Sequence, residues 1–395
     1  MRYDFETLVN RWEQGAVKWD MMKESNPKVP ENIVPFSVAD MEFKNPPEII
    51  EGLKAFLDEV VLGYPKPTEK LRDIVTNWIS RRYGWEAKKE WLVFTSGVVS
   101  AFFHGVLSFT EPGDGVILLT PVYYPFYNAI QKTERTLVRC PLNNEEGKYT
   151  INFELLEELA EKPENKMMIF CNPHNPVGRV WTKEEVEKVV SICKKHNLFL
   201  ISDEIHCDLI MPEHQFTSSA VAAGENKQHL MVCYAPSKTF NLAGMRTSCI
   251  VVPDEKERTL LQESMERVAQ SGPGILGLKA CEIAYSQCDE WLKELLQVLN
   301  ENKEYVTAFI KERLPKVRVT EMEGTYLLWI DLRAYGFSKE EQERIMTEEA
   351  FMFLDEGYVF GDEGIGFERI NLACPKKVLE EAMERLAAAL APYEN

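Results

Sequence analysis

Residues 182–204 read TKEEVEKVVSICKKHNLFLISDE, and the two halves of that stretch obey different periods. In the first half, Thr182 and Glu185 are spaced as a capping box, and Val186, Val189, Val190 and Cys193 recur at helical spacing. In the second, Leu198–Asp203 is an apolar run too short for a core helix, and it ends on a carboxylate. A strand buried on both faces has this composition. Similar runs stand at Trp91–Thr95, Val116–Thr120, Leu137–Cys140, Met167–Cys171, Leu230–Ala235 and Ser248–Pro253, with amphipathic patterns between them. Seven short strands alternating with helices predict an α/β domain on a mostly parallel sheet covered by helices.

After residue 275 the texture changes. A long helical pattern runs through Trp291, Leu295, Leu299 and Tyr305 to Leu314-Pro315. Strand-like runs follow at Thr325–Asp331 and Arg369–Ala373, and a closing helix starts at Pro375. This predicts a large domain over 46–285 and a smaller α+β domain assembled from 1–45 and 286–395.

The chain's 395 residues fit two domains at about 150 residues each, with no long linker between them. Its 45 basic and 63 acidic side chains leave a net charge of −18, which repels nucleic acid and anionic lipid and argues against both as partners. Nine cysteines, scattered and without a C-x-x-C pair, read as reduced thiols in a reducing compartment. Residues Met1–Glu6 lack an apolar signal core, and no uncharged run approaches membrane-spanning length. A soluble cytoplasmic protein is expected.

In open parallel sheets, ligands bind beyond the carboxyl ends of the strands. Lys238 follows Leu230–Ala235 directly; among apolar and small neighbours its amine would be partly desolvated and so a better nucleophile. Asp203 closes Leu198–Asp203, where a carboxylate could hold a protonated ring nitrogen. Asn172-Pro173-His174-Asn175-Pro176-Val177-Gly178 is a rigid turn after Met167–Cys171, suited to fixing the Asn175 amide. Ser96-Gly97-Val98-Val99 leads from a strand into a helix whose first amides could meet an anion, and Arg246 could add a full positive charge. Each of these, alone, also reads as an ordinary turn, cap or surface residue. Together they place an amine, a carboxylate, an amide, an anion loop and an arginine at strand carboxyl ends of one sheet.

Other signals are weaker. Gly272-Pro273-Gly274-Ile275-Leu276-Gly277 fits G-x-G-x-x-G literally, but it follows a helical pattern rather than a strand, so no dinucleotide site is assigned. The histidines show no metal-ligand spacing, and no metal site is expected. His206, three residues after Asp203, is left open between contacting a cofactor and supporting the residues that do.

Four elements, Asn172–Gly178, Ser202-Asp203-Glu204-Ile205-His206, Ser237–Arg246 and Arg369-Ile370-Asn371-Leu372, keep an order and spacing that resembles the fold-type I pyridoxal-phosphate enzymes of the aspartate aminotransferase superfamily. Within it, Ser37–Phe43, Thr120–Phe126 and Asp203–Leu209 resemble the cystalysin and MalY-type C–S lyases. The resemblance implies pyridoxal 5'-phosphate as cofactor and the fold-type I transferase fold.

Carried onto this chain, the resemblance makes Lys238 the residue that bears the cofactor as a Schiff base and later moves the substrate's α-proton. Asp203 pairs with the ring nitrogen, Asn175 with the 3-oxygen, and Tyr123 stacks on the ring with Tyr124 beside it. Val98 and Val99 amides, Ser237 and Arg246 hold the phosphate, joined by Tyr64 of a partner subunit in a homodimer. Arg369 forms a bidentate pair with the substrate's α-carboxylate, and Asn175 counts with it as a substrate contact. Tyr123 or Tyr124 assists the departing sulfur. Three departures from aminotransferases stand out: His206 where a tyrosine is usual, Asp40 where a small residue is usual, and Val98-Val99 in the phosphate loop. They favour β-elimination from sulfur amino acids over transamination. An aminotransferase is the alternative, and a non-catalytic regulatory protein on the same scaffold is the remote one.

Overall fold

The computed structural model describes residues 1–270 and 272–394. In chain order its strands are β1 (Leu92–Thr95), β2 (Gly115–Thr120), β3 (Thr136–Pro141), β4 (Asn143–Glu145), β5 (Lys148–Thr150), β6 (Asn165–Cys171), β7 (Phe199–Asp203), β8 (Leu230–Tyr234) and β9 (Ser248–Val251). Seven of them form one sheet in the order β1-β9-β8-β7-β6-β2-β3. β9 runs antiparallel to both of its neighbours and the remaining pairings are parallel. All seven expected strands are therefore present, shifted by a residue or two; Trp91, for instance, lies in a 3-10 turn ahead of β1.

Alternation along these strands feeds two cores. Val116, Leu118, Ile169, Ile201, Met231 and Ile250 face one side, packed against Phe102 and Val106 of the helix Val98–Phe109. Ile117, Leu119, Met168, Phe170, Leu200 and Val232 face the other, packed against Val186, Val189, Val190 and Cys193. The period of two in the strands puts successive residues on opposite faces, and helices on both faces explain why the runs are mostly apolar, edge strand β3 with its exposed Arg139 excepted. Each fully buried Leu, Ile or Phe contributes about 1.5–3 kcal/mol. The helix that buries those valines carries the expected capping box, with both the Thr182 side chain and the Glu185 side chain engaged.

A second sheet is antiparallel, in the order β10-β11-β13-β12: β10 (Arg318–Val319), β11 (Leu327–Asp331), β12 (Asp355–Glu356) and β13 (Phe367–Asn371). The helices Asp289–Arg313 and Lys376–Leu390 accompany it, close to the expected bounds. β13 starts two residues earlier than its apolar pattern implied, because Phe367 and Glu368 pair with Asp331 and Ile330. Residues 36–42 run beside this sheet: Phe36 bonds to Phe353 and Asn371, and Glu42 to Ala373, through the backbone.

Gly277, from the literal G-x-G-x-x-G string, is a packing glycine. A Cβ there would lie 2.5 Å from the Met245 carbonyl oxygen and 2.2 Å from Thr247 Oγ1. The helix Ile275–Gln287 thus begins against the backbone that presents Arg246.

Candidate active site

The loops that leave β1, β2, β6, β7 and β8 converge on a cavity of about 280 Å3. Its walls include Val98, Val99, Tyr123, Asn175, Asp203, His206, Ser237, Lys238 and Arg246, so nine of the expected site residues meet in one place. One positional expectation is corrected. Arg246 does not follow a strand; it precedes β9, and reaches the same edge because β9 runs antiparallel to β8.

At one end of the cavity, Gly97 caps the helix Val98–Phe109 at φ 111° with no side chain bonded to the first amides. Those amides, with the positive end of the helix dipole, form an anion site. Arg246 stands at the same cavity with φ 44°, and its guanidinium makes no ion pair with any described residue. A non-glycine residue held in the left-handed region, with its charge uncommitted, is suited to a strongly anionic ligand.

Deeper in, Asp203 is 3% exposed and accepts one hydrogen bond, from the Ile205 amide at 3.2 Å. Burial pushes its carboxyl up to about 7. Among the described residues no cation lies within salt-bridge distance of it. Lys238 is in the short helix Pro236–Thr239, its Nζ donating to the Ala39 carbonyl oxygen at 2.6 Å. Burial pulls this amine down to about 8, against the opposing pull of Asp40. What surface Lys238 exposes lines the cavity. A neutral-prone amine facing a buried carboxylate that lacks a cation is a perturbed pair of the kind found at reactive centres.

Two loops form the remaining wall. The Tyr123 amide donates to the Asn175 carbonyl oxygen at 3.1 Å, and His174 Nε2 bonds to the Pro121 carbonyl oxygen at 2.9 Å, so the segments after β2 and β6 move as one piece. Burial raises the Tyr123 phenol above its ordinary range, so it keeps its proton at neutral pH. Tyr124 lies beside it with ring centroids 5.3 Å apart, 40% exposed and outside the cavity wall. His206 is buried, borders the cavity and leaves Nδ1 without a partner; burial holds it neutral. It makes no hydrogen bond to Asp203. Tyr64 is off the cavity and fully exposed, with Val61 and Leu62 exposed beside it.

Arg369, on β13, stands behind Asn175: Nη1 donates to Asn175 Oδ1 at 2.8 Å. Its Nη2 pairs with Asp355. The fork expected to pair with a substrate carboxylate is held from two sides, and Asp355 is a residue that sequence reasoning missed; its two-residue strand has no apolar pattern to mark it. The strap Val38–Glu42, part of the segment that carries the lyase resemblance, has its polar groups tied down from elsewhere. Asp355 accepts from the Val38 amide, Asn371 donates to the Val38 and Asp40 carbonyl oxygens, Lys18 to the Asp40 carbonyl oxygen, and Asn241 exchanges bonds with Met41. Arg11 grips Asp40 at two points, 3.1 and 2.9 Å.

The arrangement can seat a flat ligand with a protonated ring nitrogen at Asp203, a polyanion at Gly97 and Arg246, and a carbonyl carbon near Lys238. Pyridoxal phosphate has these three features, and the buried, cation-free Asp203 carboxylate is the observation that it fits.

Comparison with known proteins agrees in scope. The aminotransferase class I and II family matches residues 31–386. The chain is 37% identical to cystathionine beta-lyase PatB of Bacillus subtilis over 98% of its length and 100% of that protein's. It is 29% identical to Protein MalY of Escherichia coli, over 98% of this chain and 99% of that one. A crystal structure of cystalysin from Treponema denticola, which contains a pyridoxal 5'-phosphate cofactor, superposes with a TM-score of 0.96 at 47% identity, covering 99% of this chain and 100% of that one. With the match running through both sheets and every loop of the cavity, the chain belongs to the aminotransferase class I and II family.

Proposed function

We propose that this chain is a pyridoxal-phosphate-dependent carbon–sulfur β-lyase that converts cysteine-type amino acids to pyruvate, ammonia and a thiol. The observation that carries the reading is Lys238, an amine enclosed beside Asp203 and pulled down to about 8, in a cavity whose far end is an uncommitted arginine and a bare helix start. Lyase names among the relatives support the sulfur leaving group. So does the strap: Asp40, held by Arg11, puts a fixed negative charge near Lys238, which opposes a substrate bearing a second carboxylate there.

When bound, the cofactor supplies an aldehyde that condenses with amines and a ring that accepts the electron pair released at the substrate's α-carbon. The chain's residues do the rest. Arg369 and Asn175 hold the α-carboxylate and so fix which bond at the α-carbon faces Lys238. Lys238 Nζ takes the α-proton. Asp203 keeps a proton on the ring nitrogen; its burial makes that interaction strong because no water competes. Ser237, Arg246 and the Val98 and Val99 amides hold the phosphate. Tyr123, protonated at neutral pH, gives a proton to the departing sulfur, with Tyr124 beside it and His206 backing the ring.

The functional unit in this reading is a homodimer in which Tyr64 serves the partner's phosphate. Its ring, fully exposed and off the cavity of its own subunit, supports that reading. Nine buried free cysteines support a reducing, cytoplasmic location. The test is incubation with cystathionine and no keto acid. Pyruvate and thiol released at a steady rate are expected. Product that forms only after 2-oxoglutarate or pyruvate is added overturns the lyase in favour of an aminotransferase.

A further inference from the structure

Arg369 is 2% exposed, and two of its three nitrogens hold partners. Nε is buried with no partner, so that edge of the guanidinium is closed to a ligand. A two-point grip on a carboxylate therefore falls to Nη1 and Nη2, and these hold Asn175 and Asp355. Asp355 is the direct cross-strand neighbour of Arg369 in the β12–β13 ladder, which puts the two side chains on one face within reach. Both of its bonds converge on a single oxygen: Oδ2 accepts from Arg369 Nη2 and from the Val38 amide at 2.8 Å. The side chain keeps 13% of its surface exposed, so it has somewhere to go.

We propose that Asp355 occupies, in the resting enzyme, the place on Arg369 that the substrate's α-carboxylate takes, so that substrate binding exchanges one carboxylate for another. This rests on the reading above that Arg369 receives the substrate's carboxylate. A buried guanidinium without a counter-charge is strongly destabilising, and the exchange keeps Arg369 paired at every stage. Release of Asp355 also frees the Val38 amide. A residue that merely oriented Arg369 would act in the opposite sense on affinity, because its removal would weaken binding.

The two roles separate in the holoenzyme. L-alanine has an α-carboxylate and no β-leaving group, and its binding is read by calorimetry; ethylamine offers the amine alone. If Asp355 holds the fork about nine-tenths of the time, its removal strengthens carboxylate binding about tenfold. Asp355→Asn should lower both the Kd for L-alanine and the KM for the sulfur substrate by that factor, and leave ethylamine binding unchanged. Asp355→Ser, run in parallel, carries the same expectation should the asparagine variant fold poorly. An unchanged or raised Kd in the folded variants overturns the proposal. Should Arg369→Lys bind L-alanine as tightly as the wild type, the assignment of Arg369 fails and takes the proposal with it.

Discussion

Asp203 gives a prediction in which stability and activity move in opposite directions. Its carboxyl is raised from 3.8 to about 7 in the folded protein, with burial the largest cause. An acid whose folded value lies above its unfolded one penalises folding wherever it must be charged. The penalty is complete above about pH 7, declines as pH falls from about 7 towards 4, and is gone below that, where both states hold the proton. The gap between 7 and 3.8, at about 1.4 kcal/mol per pH unit, sets a ceiling of about 4 kcal/mol. In an Asp203→Asn variant the new side-chain amide would still need hydrogen-bond partners, at a cost of about 1–2 kcal/mol, so the net gain is about 2–3 kcal/mol.

Unfolding entropy of about 2.1 cal/mol/K per residue, over 395 residues, is about 0.8 kcal/mol/K, so that gain raises the melting midpoint by about 3 °C. The assay is calorimetric melting of cofactor-stripped protein, wild type and Asp203→Asn, at pH 8 and pH 4.5. The variant should melt higher at pH 8 and level with the wild type at pH 4.5. In the same variant, kcat/KM for β-elimination should fall by about 100-fold or more, because a preorganised buried charge is lost from the reacting system. A variant that melts lower at pH 8, or gains equally at both pH values, would refute the claim that Asp203 is held charged at a cost.

Three further outcomes follow from the same geometry. Reloading of stripped protein with pyridoxal phosphate should speed up as pH rises through about 8, where the enclosed Lys238 amine loses its proton, and Lys238→Ala should never take up borohydride-stable label; a midpoint near 10.5 would contradict the enclosure. Gly277→Ala should lower stability by about 1–3 kcal/mol, since its Cβ would meet the Met245 carbonyl at 2.5 Å, and should weaken cofactor retention by shifting the turn that presents Arg246, as read by dialysis against buffer. Mixing inactive Tyr64→Ala and Lys238→Ala subunits should restore activity through mixed dimers that hold one intact site; no recovery on mixing would mean that Tyr64 does not act across an interface.

Six of the seven main strands could be read from the sequence because burial on both faces leaves them almost wholly apolar; β3, at the sheet edge, carries exposed Thr136 and Arg139 and is marked only by the short run Leu137–Cys140. β4 is three exposed polar residues and β5 buries only Tyr149, so neither leaves a pattern, and β10 and β12 are two residues long. The site divides the same way. Lys238, Asp203, Asn175 and the Ser96-Gly97 turn follow strands directly, so a rule about strand ends locates them. Arg246 needed the direction of β9, which no local pattern carries. Asp355 and the strap are held by pairs far apart in sequence, such as Val38 with Asp355 at a separation of 317, or Ala39 with Lys238 at 199. Such pairs come from sheet register and from the docking of residues 36–42, which hydrophobic periodicity does not encode.

A purely structural account of Lys238 and Asp203 meets a specific difficulty. Buried opposite charges kept for stability are paired, since the desolvation cost is recovered only at close range with good geometry. Lys18 and Glu42 show how this chain builds such a pair: both are 1% exposed, 2.6 Å apart, and Glu42 also accepts from the Trp19 indole. Lys238 and Asp203 line the same cavity, yet the lysine donates to the Ala39 carbonyl oxygen and the aspartate accepts from the Ile205 amide. Each is desolvated at a cost, and their mutual attraction offsets it only in part because no direct bond joins them. Beside them, Arg246 carries an unpaired guanidinium on a backbone at φ 44°. Three separate destabilising features at one cavity are hard to explain by folding alone, because a small change at any of them would remove the cost without loss of core packing. They are jointly accounted for by a ligand that brings a protonated nitrogen to Asp203, an electrophilic carbon to Lys238 and a negative charge to Arg246.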